Sequence, residues 1–135
     1  MFRLVRFWSR RWARGVATDA GGPSAVGHVL AVDAVAACAA TGATVGDVAR
    51  LLGLDRSGAS RMVAAAEASG YLERRRAESD ARMTRIRLTT AGDALIEAAE
   101  QWQRAAFADL TADWPDDDRV RFAEYLQRLA VQVGA

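Results

Sequence analysis

The densest cluster of charged side chains in this sequence is a run of arginines in its second half. Six arginines fall within residues 74–87, namely Arg74, Arg75, Arg76, Arg82, Arg85 and Arg87. A guanidinium group can bind phosphate oxygens through two parallel hydrogen bonds, so the cluster could hold a nucleic-acid backbone. A solvated charged face is the usual explanation of such a run. Here the run directly follows two short predicted helices, which favours phosphate binding.

A second set of polar residues opens the helix before this cluster. Its members are Arg56, Ser57, Gly58, Ser60 and Arg61. The apolar residues Ala59, Met62, Val63 and Ala66 recur at helical spacing on the other side of the same helix. The polar set therefore lies on the outer face, near the helix N-terminus, where a recognition helix presents side chains to the major groove of DNA. A generic helical hairpin would give the same pattern, so this segment alone leaves both interpretations open.

The elements that position these residues form a predicted helix-turn-helix over residues 44–70. Thr44 and Asp47 have the spacing of a capping box, which begins a helix. Gly53 ends that helix because a tight turn needs a residue that tolerates positive φ. Asp55 or Ser57 caps the second helix, and about three residues join the two helices. We include Thr44 among the predicted DNA contacts.

The rest of the sequence predicts more helices and one β-hairpin. Residues 1–18 and 24–40 are expected to be helical, and residues 71–76 and 82–88 to be strands that flank a turn. A long helix starts at Thr89 or Thr90 with an apolar stripe of Ala91, Leu95, Ala99, Trp102, Ala106 and Leu110. Pro115 and the acids after it open a last helix, with a stripe of Phe122, Leu126, Leu129 and Val133.

Charge is distributed unevenly, although the net charge of the 135 residues is only +1. Residues 1–18 carry five arginines and no acid, and residues 50–87 carry nine arginines against five acids. Residues 88–135 carry four arginines against nine acids. A basic middle beside an acidic C-terminal part indicates one face that suits a polyanion.

A single cysteine, Cys38, and a single histidine, His28, limit the other chemistry available. One cysteine excludes an internal disulfide and a cysteine-based zinc site. No nucleophile elbow of the G-x-S-x-G kind is present. We therefore expect no enzyme, no cofactor and no metal site. With no apolar run long enough to span a membrane, we expect a cytoplasmic protein.

The segments TVGDVARLLGLDRSGASRMVAAAEASGYLERR and SDARMTRIRLTTAG resemble the MarR family of winged helix-turn-helix regulators. The second contains the pattern D-x-R-x-x-x-x-x-L-T-x-x-G, formed by Asp80, Arg82, Leu88, Thr89 and Gly92. The clear resemblance covers residues 44–92. It implies a mainly α-helical fold with a small β-hairpin, in which N- and C-terminal helices form a homodimer.

The resemblance also implies a function, namely sequence-specific binding of double-stranded DNA at a palindromic operator. The chain would be a single domain over residues 1–135, with dimerisation helices at 1–18 and 93–135. The helix-turn-helix at 44–70 would enter the major groove, and the wing at 71–89 would reach the minor groove. The regulator would be a repressor released by a small-molecule effector or another signal.

Arg82 and Asp80 stand at the tip of the predicted wing. One residue separates them, so in extended structure both side chains can point to the same side. The resemblance implies that Arg82 is the wing-tip arginine and that Asp80 orients it. An ordinary exposed ion pair at a loop tip, without functional meaning, is the alternative.

Two further interpretations stay open from the sequence. The basic, aromatic residues 1–14 could form an interfacial helix, which would make the chain a membrane- or protein-binding adaptor without sequence-specific DNA binding. The favoured alternative is a dimerisation helix whose aromatic residues are buried. Cys38 could be a redox sensor, but its alanine-rich surroundings favour inert packing. His28, near the start of its helix, is expected at the surface or in a cap.

Overall fold

The computed structural model describes residues 25–38, 42–77 and 80–133, with the side chains of residues 25, 77, 80–83 and 133 left out. Within that part the chain forms five helices and two strands: α1 Ala25–Ala36, α2 Val45–Leu52, α3 Arg56–Ala68, β1 Leu72–Ala77, β2 Asp80–Leu88, α4 Thr90–Leu110 and α5 Asp116–Val133. The predicted mainly helical fold with one small hairpin is confirmed. The chain divides into two compact units, residues 1–102 and 103–135.

The second predicted helix is shorter than expected. It spans Ala25–Ala36 rather than residues 24–40, and a turn follows at residues 37–38. The apolar, alanine-rich sequence continues past Ala36, so hydrophobicity gave no signal for the end of the helix. The predicted helix over residues 1–18 lies outside the described residues.

Local hydrogen bonds set the bounds of α2 and α3. The Thr44 hydroxyl accepts a bond from the Asp47 backbone N–H, while the Asp47 carboxylate accepts one from the Thr44 N–H, which completes the predicted capping box. Gly53 ends α2 at φ 63°, in the left-handed region expected for this glycine. Asp55, rather than Ser57, is the N-cap of α3.

Small side chains let the helices of the first unit pack closely. Val48 of α2 and Ala59, Val63 and Ala66 of α3 are fully buried. Met62 packs against this core while half-buried. Helix α1 adds the largest share of the core, in which the buried residues are Val29, Ala31, Val32, Ala34 and Val35.

The hairpin is antiparallel, and its register puts different chemistry on its two faces. Leu72 pairs with Leu88 and Arg74 with Ile86, so the buried Leu72 and Ile86 share one face. The opposite face carries Glu73, Arg75, Arg85 and Arg87. The register shifts between Arg76, which pairs with Thr84, and Ala77, which pairs with Asp80, so the ladder is irregular near the turn. Toward the turn, β1 ends one residue later and β2 begins two residues earlier than predicted.

Thr89 ties the base of the hairpin to the start of α4. Its hydroxyl donates to the Gly70 carbonyl at 2.6 Å and accepts from the Gly92 N–H at 3.1 Å. Its own N–H donates to the Tyr71 carbonyl at 3.1 Å. A Cβ at Gly92 would lie 2.2 Å from that same Tyr71 oxygen. Threonine and glycine are therefore required here for close approach of two backbone segments.

The second unit packs around aromatic rings and leaves much apolar surface exposed. Phe107 stacks on Phe122 with ring centroids 6.1 Å apart, and Trp114 meets Phe122 edge-on at 5.5 Å.

Only part of each apolar stripe predicted for the two C-terminal helices, α4 and α5, is buried. Leu95, Ala99 and Ala106 are buried and Trp102 is half-buried, whereas Ala91, Leu110, Leu126 and Leu129 are exposed.

The described residues also bear on membrane insertion and on metal binding. No helix in this part of the chain is long and apolar enough to cross a membrane. Among these same residues, no group of three or more His, Cys, Asp or Glu side chains could hold a metal ion.

Candidate nucleic-acid interface

The first turn of α3 presents a polar surface, as the sequence predicts. Arg56, Ser57 and Arg61 are exposed, while Gly58 and Ser60 are half-buried. The apolar side of the helix faces the core of the first unit, so these residues have only the outer face available. The structure thus brings the five predicted residues together at one end of one helix.

Asp55 organises this turn, and the sequence prediction did not include it as a site residue. One oxygen of its carboxylate, Oδ1, accepts from the Ser57 hydroxyl at 2.6 Å and from the Gly58 N–H at 2.8 Å. Arg61 reaches the Ser57 oxygen from the next turn, at 3.4 Å. These hydrogen bonds, with Ser57 first and Gly58 second, lower the pKa of Asp55 below its usual value. The spacing Asp-x-Ser at a helix start was the available signal.

Thr44 lies at the start of α2, half-buried, and its hydroxyl is occupied within the chain. Besides accepting from the Asp47 N–H, it donates to Asp47 Oδ2 at 2.8 Å. The backbone N–H and side-chain hydroxyl of Thr44 together lower the pKa of the Asp47 carboxyl. What Thr44 can present to a ligand without breaking this cap is therefore its remaining acceptor capacity.

The three arginines of β1 differ in their partners. Arg74 Nε lies 3.0 Å from Glu67 Oε2, which joins the hairpin to the last turns of α3. Arg75 Nε lies 2.5 Å from Glu73 Oε1, and this contact raises the pKa of Arg75. Arg76 is exposed, and among the described side chains no ion pair to it is found. The sequence predicted the same role for all three arginines, because it does not show which of them have acidic partners.

Arg85 belongs to the arginine cluster but was not among the residues predicted individually as DNA contacts. It extends from β2 to donate to the Gly42 carbonyl at 3.4 Å, and it is half-buried. Its charge also contributes to the low pKa of Asp47. Arg85 therefore connects the hairpin to the residues that begin α2. No sequence signal links positions 42 and 85.

Asp80 and Arg82 belong to β2, but their side chains lie outside the described residues. The predicted contact between them stays a prediction. Cys38 is half-buried and packs against the core.

His28 corrects one expectation from the sequence. Instead of lying at the surface or in a cap, it is 9% exposed, and its ring lies 5.5 Å from that of Tyr71. The packing of α1 against the segment that enters the hairpin buries it.

Comparison with known proteins gives a family match across this interface. Residues 28–83 match the model of the MarR family. The matched segment contains most of α1, the helix-turn-helix, β1 and the start of β2. No curated protein sequence is matched.

Solved structures share the fold at low sequence identity. A MarR family transcription regulator is 22% identical with a TM-score of 0.78, and the match covers 99% of this chain and 85% of that one. A MarR family protein from Bacillus stearothermophilus is 22% identical with a TM-score of 0.75, covering 98% and 92%. A mutant of MepR from S. aureus, bound to an oligodeoxyribonucleotide, is 17% identical with a TM-score of 0.68, covering 98% and 94%.

Proposed function

We propose that the chain is a DNA-binding transcription regulator of the MarR family, whose model matches residues 28–83, and that it binds a palindromic operator as a homodimer. The observation that carries the proposal is the exposed polar first turn of α3 inside the segment that matches the family. The basic hairpin follows α3 directly. This arrangement favours DNA regulation over the adaptor function that the N-terminal residues suggested.

The proposed DNA contacts are the residues predicted from the sequence. Arg56, Ser57, Gly58, Ser60 and Arg61 would face the major groove. Arg76 and Arg82 would neutralise phosphates or enter the minor groove, with Asp80 orienting Arg82. Thr44, Arg74 and Arg75 complete the set. Arg74 and Arg75 would contact DNA only together with their glutamate partners.

The proposed homodimer rests on the apolar surface of α5. Tyr125, Leu126 and Leu129, which share one side of the helix by their spacing, are 60%, 47% and 49% exposed. A contiguous apolar surface is costly to leave in water and marks an interaction site. A second copy of the chain is the proposed partner, with α5 and the N-terminal residues in the interface.

The proposal also includes regulation of DNA binding by a small molecule. A MepR structure from S. aureus, 18% identical with a TM-score of 0.63, holds ethidium bromide. By analogy we propose a repressor that a small-molecule effector releases from DNA in the cytoplasm. We propose no enzymatic activity, because the match is to a family of regulators.

The experiment that tests this function is selection of bound fragments from random double-stranded DNA, followed by binding across a salt series. The expected operator has two inverted half-sites about 10 bp apart. Arg76→Ala should reduce the slope of log affinity against log salt by about two per dimer, one for each lost phosphate contact. Failure to enrich any sequence with folded protein would overturn the proposal.

Arg74→Ala is the matched control in the same strand. Its guanidinium is already paired with Glu67, so we expect a smaller change in slope than for Arg76→Ala. Equal changes for both variants would mean that the Glu67 contact does not keep Arg74 from phosphate.

A further inference from the structure

We propose that Asp55 fixes the hydrogen-bond polarity of Ser57, that is, the direction in which its hydroxyl donates. Ser57 then meets DNA as a hydrogen-bond acceptor and reads the amino group of adenine or cytosine. This inference rests on the proposed DNA-binding function, in which the first turn of α3 enters the major groove. It assigns Asp55 as a positioning residue and Ser57 as a specificity-determining one.

The direction of the bond between Asp55 and Ser57 follows from their chemistry. An ionised carboxylate can only accept hydrogen bonds, so in the 2.6 Å contact the Ser57 hydroxyl must donate. An aspartate of ordinary pKa is already ionised at neutral pH, and the hydrogen bonds to Asp55 lower its pKa further. A bond between a hydroxyl and a carboxylate is stronger than one between neutral groups, so the hydroxyl proton of Ser57 is held.

Helix capping does not account for this contact. The N-cap function of Asp55 is complete with the 2.8 Å bond from the Gly58 N–H. Since the Ser57 hydroxyl satisfies no backbone group of the helix, its bond to Asp55 is additional to the cap. Its effect is on what Ser57 presents outward.

What remains at Ser57 is acceptor capacity directed to solvent. A hydroxyl has one proton and two lone pairs. The proton is held by Asp55, and Arg61 donates a long hydrogen bond of 3.4 Å to the oxygen, which leaves one lone pair for an incoming donor. Ser57 itself is exposed, so an incoming donor can reach it.

This polarity discriminates among the groups that DNA offers. Phosphate oxygens only accept hydrogen bonds, so Ser57 held in this way has nothing to donate to them, and the nearby Asp55 charge repels them. In the major groove adenine N6 and cytosine N4 are donors, whereas guanine O6 and thymine O4 are acceptors. Ser57 should therefore favour an amino base and disfavour a keto base at the position it faces.

The test uses the selected operator with one exocyclic amino group removed at a time. Each adenine of a half-site is replaced in turn by purine, which lacks the 6-amino group, and each cytosine by 2-pyrimidinone, which lacks the 4-amino group. At one position the wild-type protein should lose about 3- to 10-fold in affinity, the value of one hydrogen bond. Ser57→Ala should bind the intact and the altered base at that position equally well.

Ser69→Ala, at the other end of α3, is the matched control and should keep the wild-type sensitivity. The inference is overturned if no amino group matters to the wild-type protein, or if Ser57→Ala keeps the same sensitivity at every position. A uniform loss of affinity on all sequences for Ser57→Ala would also overturn it, by making Ser57 a phosphate contact. If wild-type protein selects no DNA at all, the proposed function itself fails.

Asp55→Ser tests the positioning role separately. Serine is a good N-cap, so α3 should still form, which a thermal melt by circular dichroism can check. Without the carboxylate the Ser57 hydroxyl can turn and donate, so the preference for amino over keto bases at its position should fall about 3-fold or more. An unchanged preference in folded Asp55→Ser would show that Asp55 does not set the polarity of Ser57.

Discussion

Helices α3 and α5 are both amphipathic, but they differ in how much of their apolar side is covered. In α3, which has 13 residues, Ala59, Val63 and Ala66 are each 0% exposed. In α5, which has 18 residues, Leu126 is 47% and Leu129 49% exposed. The apolar side of α3 is covered within its own unit. Part of the apolar side of α5 is exposed, and the proposed homodimer would cover it.

The covered region, meaning the core of the first unit and the segments packed around it, is stabilised by small apolar side chains and by hydrogen bonds. Its largest fully buried residues are one isoleucine and five valines: Ile86, Val29, Val32, Val35, Val48 and Val63. Valine buries less apolar area than leucine or phenylalanine, so each contributes less hydrophobic stabilisation. Caps and close backbone contacts, such as those of Thr44 and Thr89, therefore carry a larger share of the stability of this region than they would beside a bulkier core.

The largest expected effect comes from Gly92→Ala in the covered region. The new Cβ would lie 2.2 Å from the Tyr71 carbonyl oxygen, which is backbone and cannot move aside without breaking the base of the hairpin. We expect a loss of about 4 kcal/mol or more in the free energy of unfolding, measured by urea denaturation. Gly27→Ala in α1 is the control, because nothing lies within 4 Å of its added Cβ. A loss below about 1 kcal/mol at Gly92 would contradict the close approach.

The next effect concerns the uncovered side of α5. Replacing Leu126 and Leu129 together with glutamate should raise the dissociation constant of the proposed homodimer about 100-fold, which corresponds to about 3 kcal/mol. The two side chains are exposed within one chain, so the first unit should stay folded. Sedimentation equilibrium over a range of concentrations measures the association. Gln127→Glu, which adds charge to the same helix without removing an apolar side chain, is the control; equal weakening by both would argue against an apolar interface.

The smallest effect is the pH dependence of the capping box in α2. The pKa of Asp47 is lowered below 3.8 in the folded protein, so its interactions stabilise the fold above that pH and are lost as pH falls through the folded value. Asp47→Asn should therefore flatten the loss of stability between about pH 5 and pH 2. The difference should be about 1 kcal/mol or less, because the carboxylate is partly exposed.

Urea denaturation at each pH measures this difference. Asp109→Asn, an exposed position near the end of α4, serves as the control. An identical acid profile for Asp47→Asn and the wild-type protein would mean that the capping box contributes no pH-dependent stability.

Much of the helix-turn-helix could be predicted because its determinants lie close together in the sequence. Thr44 and Asp47 are three residues apart, and Gly53 ends α2 through its own backbone conformation. The polar set on α3 follows from helical periodicity. These features depend on hydrogen bonds and dihedral angles within one turn, which residue type and spacing specify directly.

The sequence by itself therefore determined the order of the elements, the capping residues of the helix-turn-helix and the polar turn proposed to meet DNA. Only the tertiary structure decided that Arg74 pairs with Glu67, that His28 packs against Tyr71, and that Gly92 lies under the Tyr71 carbonyl. It also decided which part of each apolar stripe is covered. The physical reason is that these contacts join residues that chain folding brings together, and periodicity shows which side of a helix is apolar but not what packs against it.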